Sequence, residues 1–108
     1  MRLGQLVFRL RRPSQPLSLE RYLTMAPVAG MAFYHLCEYP YGLPLRELCE
    51  LVYRRFEPTW GMSSLTVAIS KFNKRAKQHR WGVRMRSKRG HGVSLYQIWI
   101  LREEERAD

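Results

Sequence analysis

The chain has 108 residues, with 19 Lys plus Arg, 9 Asp plus Glu and 3 His, for a formal net charge of +10. Its 45% hydrophobic and 12% aromatic content suits one compact domain over residues 1–108 and excludes wholesale disorder. No apolar run approaches the ~18–20 residues that cross a bilayer, and MRLGQLVFRLRR is too short and too interrupted by Arg for the apolar region of a signal peptide.

Residues 3–12 alternate in part, Leu6, Phe8 and Leu10 against Val7, Arg9 and Arg11, which is the period of a strand. Pro13-Ser14-Gln15-Pro16 breaks the pattern. Leu17, Leu19 and Arg21 then alternate with Ser18, Glu20 and Tyr22. Together these predict an N-terminal β-hairpin over 3–23. Three helices are expected over 24–79. Thr24 is placed to cap the first, and Pro27 suits its first turn. Val28, Met31, Ala32, His35 and Leu36 recur at helical spacing, with Phe33 and Cys37 beside them. Tyr39-Pro40-Tyr41-Gly42 ends this helix. The second starts at Pro44, carries a stripe of Leu45, Leu48, Cys49, Val52, Tyr53 and Phe56, and closes at Pro58 and Gly61.

The third helix is predicted over 62–79. Leu65, Ile69, Phe72 and Ala76 follow an i, i+4, i+7, i+11 pattern, which keeps them within an arc of ~60°. The opposite face carries Ser63, Val67, Ser70, Lys71, Lys74 and Gln78, with Lys77 at its margin. Trp60 and Trp81 flank the helix as anchors. Residues 83–87 alternate as a strand. Lys88-Arg89-Gly90-His91-Gly92 is expected to be a tight turn whose glycines permit positive φ. Residues 93–100 form a longer strand, so the hairpin covers 82–101, and 102–108 are expected to be a solvated tail. The predicted order is β-β-α-α-α-β-β. Three helices followed by a hairpin make an α+β winged helix-turn-helix.

The charge is unevenly spread. None of the nine acids lies between Pro58 and Arg102, a window of 45 residues that holds ten bases. Solvated faces normally mix signs, so this window points to a polyanionic partner. Nucleic acid leads, ahead of an anionic membrane surface. The third helix fits the major groove, and the hairpin can reach a neighbouring minor groove.

Several segments resemble the OmpR-type winged-helix domain that forms the C-terminal half of many bacterial response regulators. Leu23-Thr24 is similar to the pair that opens that family's first helix. Tyr39-Pro40-Tyr41-Gly42 followed by Leu43-Pro44-Leu45-Arg46-Glu47-Leu48 resembles the passage from first to second helix. The run from Thr66 to Arg75, TVAISKFNKR, resembles the recognition-helix pattern DVxISRLRRK, and Arg89-Gly90-His91-Gly92 resembles the wing-tip RGxG. The likeness spans roughly 5–100. Thr66 stands where the family has Asp, and Val93 where it commonly has Tyr. The chain is too short to add a receiver domain, so the resemblance implies a stand-alone DNA-binding domain.

Resemblance and helical geometry select the same residues. Lys71 and Lys74 can contact guanine edges or phosphates, Ser70 and Asn73 bases or backbone, and Val67 a thymine methyl. Ser63 and Thr59 can offer donors to a phosphate or simply cap the helix, and Lys77 extends the cationic margin. On the hairpin, Arg84 and Arg86 share a face and can track phosphates. Lys88, Arg89 and His91 sit at the turn, where Arg89 can enter a narrow minor groove or meet a phosphate. No CxxC or HExxH motif, paired carboxylates or phosphate-cradling glycine loop occurs. Cys37 and Cys49 do not make a disulfide framework, and His35 suits a core position. No enzyme, metal or cofactor is expected.

The leading expectation is a sequence-specific double-stranded DNA-binding transcription regulator in the cytoplasm, in a bacterial or phage setting, binding as a dimer or a tandem pair. The alternatives are a low-specificity nucleoid, replication or RNA-binding module, and a domain that docks on RNA polymerase or another regulator. No membrane partner is expected.

Overall fold

The computed structural model describes residues 17–53, 58–90 and 92–107. Two helices lead, α1 (Leu19–Met25) and α2 (Pro27–Glu38). A two-residue strand β1 (Leu43–Pro44) precedes α3 (Leu45–Tyr53) and the long α4 (Pro58–Gln78). The hairpin strands β2 (Val83–Gly90) and β3 (Val93–Ile100) follow, and a 3-10 turn spans Glu103–Glu105. The three strands form one antiparallel sheet in the order β1-β3-β2. The fold is α+β.

The N-terminal hairpin is corrected in its second half. Residues 19–25 are helical, and 3–12 lie outside the described residues. The alternation over 17–23 also places Leu19, Tyr22 and Leu23 at i, i+3 and i+4, and all three pack on the core. Ser18 decides between the two periods. Its hydroxyl accepts the Arg21 N–H at 3.1 Å, which satisfies a donor that a strand would have paired across a ladder. Thr24 is not a cap. It lies inside α1 and its hydroxyl donates to the Glu20 carbonyl. The single residue Ala26 joins α1 to α2, and Pro27 occupies the first turn of α2. Gly30 lets the two helices meet, since a Cβ there would lie 2.5 Å from the Leu23 carbonyl oxygen.

The buried face of α2 is Ala29, Gly30, Ala32 and Leu36, with Phe33 half-buried. Met31 and Cys37, placed on or beside the apolar stripe by periodicity, are exposed. The chain then turns at Gly42, whose φ of +97° favours glycine. β1 pairs Leu43 with Tyr96 and Pro44 with Leu95. α3 buries Leu48, Cys49 and Val52 as its pattern predicts. Phe56 lies outside the described residues.

Pro58 and Gly61 do not close α3. Pro58 opens α4, and Gly61 is a contact point within it, where a Cβ would lie 2.6 Å from Cys49 Sγ. The predicted seam of α4 is borne out, with Leu65, Ile69, Phe72 and Ala76 all buried. Tyr53 donates to the Ser64 hydroxyl at 2.8 Å, joining α3 to α4. Phe72 sits centrally among Tyr22, Phe33 and Trp81, with ring centroids 5.8–6.0 Å away. Trp81 is buried, as expected of an anchor, and its indole N–H donates to the Leu17 carbonyl.

Beyond α4, Trp81 N–H reaches the Ala76 carbonyl and Arg80 N–H the Lys77 carbonyl, with Arg80 at φ +55°. This is a Schellman close with Arg in the left-handed position that glycine usually takes. The β2–β3 ladder runs through Arg89↔Ser94 to Gly90↔Val93. Lys88 and Arg89 are therefore strand residues, and the expected turn over 88–92 is confined to positions beyond Gly90, with Gly92 at φ +81°.

The tail is largely exposed, as expected, with Arg102, Glu103, Glu104 and Ala107 all exposed, but it is also tied to the fold. Leu101 is buried, and its N–H donates to the Gly82 carbonyl. Glu105 Oε1 accepts the Arg102 N–H at 3.0 Å and its Nε at 3.3 Å.

Candidate nucleic-acid interface

Burial of one seam of α4 fixes what the other side presents. Ser63, Val67, Ser70, Lys71, Lys74, Lys77 and Gln78 are all exposed. Val67 is 53% exposed in the midst of these polar and cationic neighbours, so it offers a methyl-bearing surface there at no cost to the core. Two recesses flank the face. One, about 400 Å³, opens between α4 and β2 and is lined by Thr66, Ser70, Asn73, Arg86, Ser87 and Tyr96 among others. The other, about 250 Å³, lies between the α1–α2 junction and α4, where Pro27, Val28 and Ala29 face Ser64, Val67 and Lys71. Sequence reasoning singled out neither Ser87 and Tyr96 nor the start of α2. Pro27 was the one available signal that an uncapped helix end lies there.

Two expected contacts are spent on the fold. Asn73 is half-buried. Its amide donates to the Met85 carbonyl and accepts the Met85 N–H, both at 2.9 Å. It therefore joins α4 to β2 and does not present its amide to a base. Arg84 is only 1% exposed. Its guanidinium donates to the carbonyls of Trp81 and Val83 at 2.8 Å and of Arg106 at 2.6 Å. The carbonyls offset the cost of burying this cation, and no phosphate can reach it.

Arg86 lies over the Trp99 ring at 5.7 Å. Lys88 and Arg89 are exposed further along β2. His91 and the side chain of Thr59 lie outside the described residues, as does that of Trp60. Among the described residues the ion pairs are His35–Glu38, Arg102–Glu104 and Arg102–Glu105, so none neutralises the cations of α4 or of Lys88 and Arg89.

Away from this face the chemistry is quiet. Burial, then the neighbouring Glu38 and Glu50, pushes the Cys37 and Cys49 thiols up, away from the thiolate form that makes cysteine reactive. His35 is half-buried beside Glu38. Among the described residues no group of three or more His, Cys, Asp or Glu side chains converges, and no helix is long and apolar enough to cross a membrane. A third recess of about 340 Å³ lies beside α3, where Leu43 and Leu51 meet Tyr39, Glu47 and Glu50. Compared with known proteins, the chain matches no family model, no curated protein and no solved structure.

Proposed function

We propose that this chain is a winged helix-turn-helix domain that binds double-stranded DNA as a sequence-specific transcription regulator. The observation that carries the proposal is the acid-free exposed face of α4, lined by Lys71, Lys74 and Lys77 and set beside a hairpin that carries Lys88 and Arg89. The helix has 21 residues, about 30 Å at 1.5 Å per residue, long enough to lie in a major groove about 12 Å wide. Val67 and Ser70 supply base-edge contacts, the exposed Ser63 hydroxyl a donor to a phosphate, the lysines base or phosphate contacts, and Arg89 reaches a minor groove or the backbone. The uncapped start of α2, beside Lys71, adds backbone N–H donors on the other flank.

One observation favours a second reading, a binder of low specificity. With Asn73 and Arg84 committed to the fold, the exposed face is dominated by lysine. Lysine acts as a point charge and lacks the bidentate fork that reads guanine best. The test is selection of sites from a random duplex pool, followed by titration of enriched and scrambled duplexes at fixed salt. A defined motif bound at least ~10³-fold above scramble supports the regulator. Tight, salt-sensitive binding with no enrichment supports the second reading, and no duplex binding removes both.

A further inference from the structure

The sheet has two faces, and the helices cover one of them. On that side Met85 is buried, and Tyr96 and Ile98 pack on the core. Alternation turns Leu95, Gln97 and Trp99 the other way, and the register sets Lys88 opposite Leu95, Arg86 opposite Gln97 and Arg84 opposite Trp99. One border of this outer face is the turn before β1. A Cβ on Gly42 would lie 2.8 Å from Gln97 Cγ, and Gln97 Nε2 donates to the Pro40 carbonyl at 3.4 Å. Another border is the end of the chain, which covers Arg84 and gives it the Arg106 carbonyl at 2.6 Å. Between these borders Trp99 is 36% exposed. Arg86, its diagonal neighbour across the strands, has its guanidinium carbon 5.7 Å from the ring centroid. Lys88 is exposed one step closer to the hairpin tip. Neither strand carries an acid, and Glu104 and Glu105 beyond them are paired with Arg102 at 3.5 and 3.3 Å.

We propose that this outer face binds single-stranded nucleic acid, with a base stacked on the Trp99–Arg86 pair and a neighbouring phosphate on Lys88. The site is separate from the exposed face of α4, so the proposal goes beyond the duplex reading and does not depend on it. Indole and guanidinium are both planar, and each takes a base against its face. Arg86 restrains the indole before a ligand arrives, so less side-chain freedom is lost on binding. Residues on one face of a strand recur about every 6.8 Å, twice the ~3.4 Å rise per nucleotide of a strand in duplex DNA. The step from Arg86 to Lys88 therefore suits a chain whose bases are splayed apart. A duplex keeps its bases stacked on one another and offers Trp99 no open base face.

The test is fluorescence anisotropy of labelled oligonucleotides titrated with the full chain at fixed salt. A thymidine oligomer, a uridine oligomer and an abasic deoxyribose chain of the same length carry the same phosphates. Counterion release is then common to all three, and the difference between them is the bases. The thymidine or the uridine oligomer should bind at least about fivefold tighter than the abasic chain, the lower end of what one base on an aromatic ring supplies. The tighter of the two shows whether the preferred strand is DNA or RNA. Trp99→Leu should bring that ratio to about one and leave any duplex binding where it was. Arg86→Gln should lower the ratio by about two- to fivefold, the worth of an exposed cation–π contact. Equal binding of all three chains by wild type overturns the proposal, as does a ratio that survives Trp99→Leu. Should Trp99→Leu lose its cooperative melt, Arg86→Gln decides, because its side chain is outside the core; an unchanged ratio then overturns the proposal. Self-association of wild type in sedimentation that Trp99→Leu abolishes makes the occupant a second copy and overturns it too. If duplex titration fails while the single-strand ratio holds, the regulator reading falls and this one stands.

Discussion

Lys74 and Asn73 are adjacent in sequence and divide the labour of α4 between recognition and fold. Lys74 is exposed on the cationic face. If it reads a base, Lys74→Ala costs roughly 1–3 kcal/mol on the selected site and relaxes one position; if it meets only phosphate, the loss is equal on all duplexes and the salt slope falls by about 1. Competition titrations at three salt concentrations separate the two. Asn73→Ala leaves the Met85 N–H and carbonyl without their side-chain partner. Loss of a buried backbone partner costs about 1–3 kcal/mol, so the urea midpoint should fall. The salt slope should stay put, because no phosphate contact is removed. Sequence separated these neighbours only in part: helical spacing puts Lys74 opposite the buried seam and Asn73 nearer the side, but only the position of β2 decides that Asn73 meets main chain.

At the scale of elements, legibility followed length. The seam of α4 repeats over three turns and β3 runs for eight residues rich in β-branched and aromatic side chains, so both were readable. β1 is two residues long, too short to have a period, and it exists because Gly42 delivers it against β3. α1 was misread because seven residues fit both periods until the Ser18 cap is weighed. The Schellman close of α4 gives a direct test. Arg80 sits at φ +55°, a region that costs a side-chain-bearing residue about 1–2 kcal/mol. Arg80→Gly should raise thermal stability by about 1 kcal/mol, less some entropy gained by the unfolded chain. The 3-10 turn gives another. The Arg102 hydrogen bonds hold the Glu105 carboxyl low, so its stabilising contribution is present above the ordinary carboxylate pKa and is lost as pH falls through the lowered folded value. The stability gap between wild type and Glu105→Gln should be constant near neutrality and close on acidification, as followed by denaturant melts at stepped pH.

Across the whole molecule, charge and core are organised by one helix. α4 contributes Leu65, Ile69, Phe72 and Ala76 to the centre and its opposite side to solvent, so the interior and the cationic face cannot be altered independently. Ile69→Asp places an unpaired charge where the side chain is 4% exposed, a change that unfolds a marginal domain. Loss of cooperative melting is the expected result, and a folded variant would contradict the facing of α4. The acid-free window of sequence was legible because a net balance survives any fold. Which of its cations stay free was not, since Arg84 is buried by a tail that periodicity leaves unassigned.

The Asn73 bridge has one more effect. Among the described residues β2 pairs only with β3, and a strand border with free main-chain donors and acceptors is the kind along which strands of separate molecules zip together. Met85, on the stretch nearest α4, already has both of its outward groups taken by an amide from the same chain. A second molecule's strand meets an occupied rung there and would have to displace Asn73 to continue. The side chain that sequence offered to bases or backbone occupies that rung instead, and Asn73→Ala should show more concentration-dependent association in sedimentation than wild type.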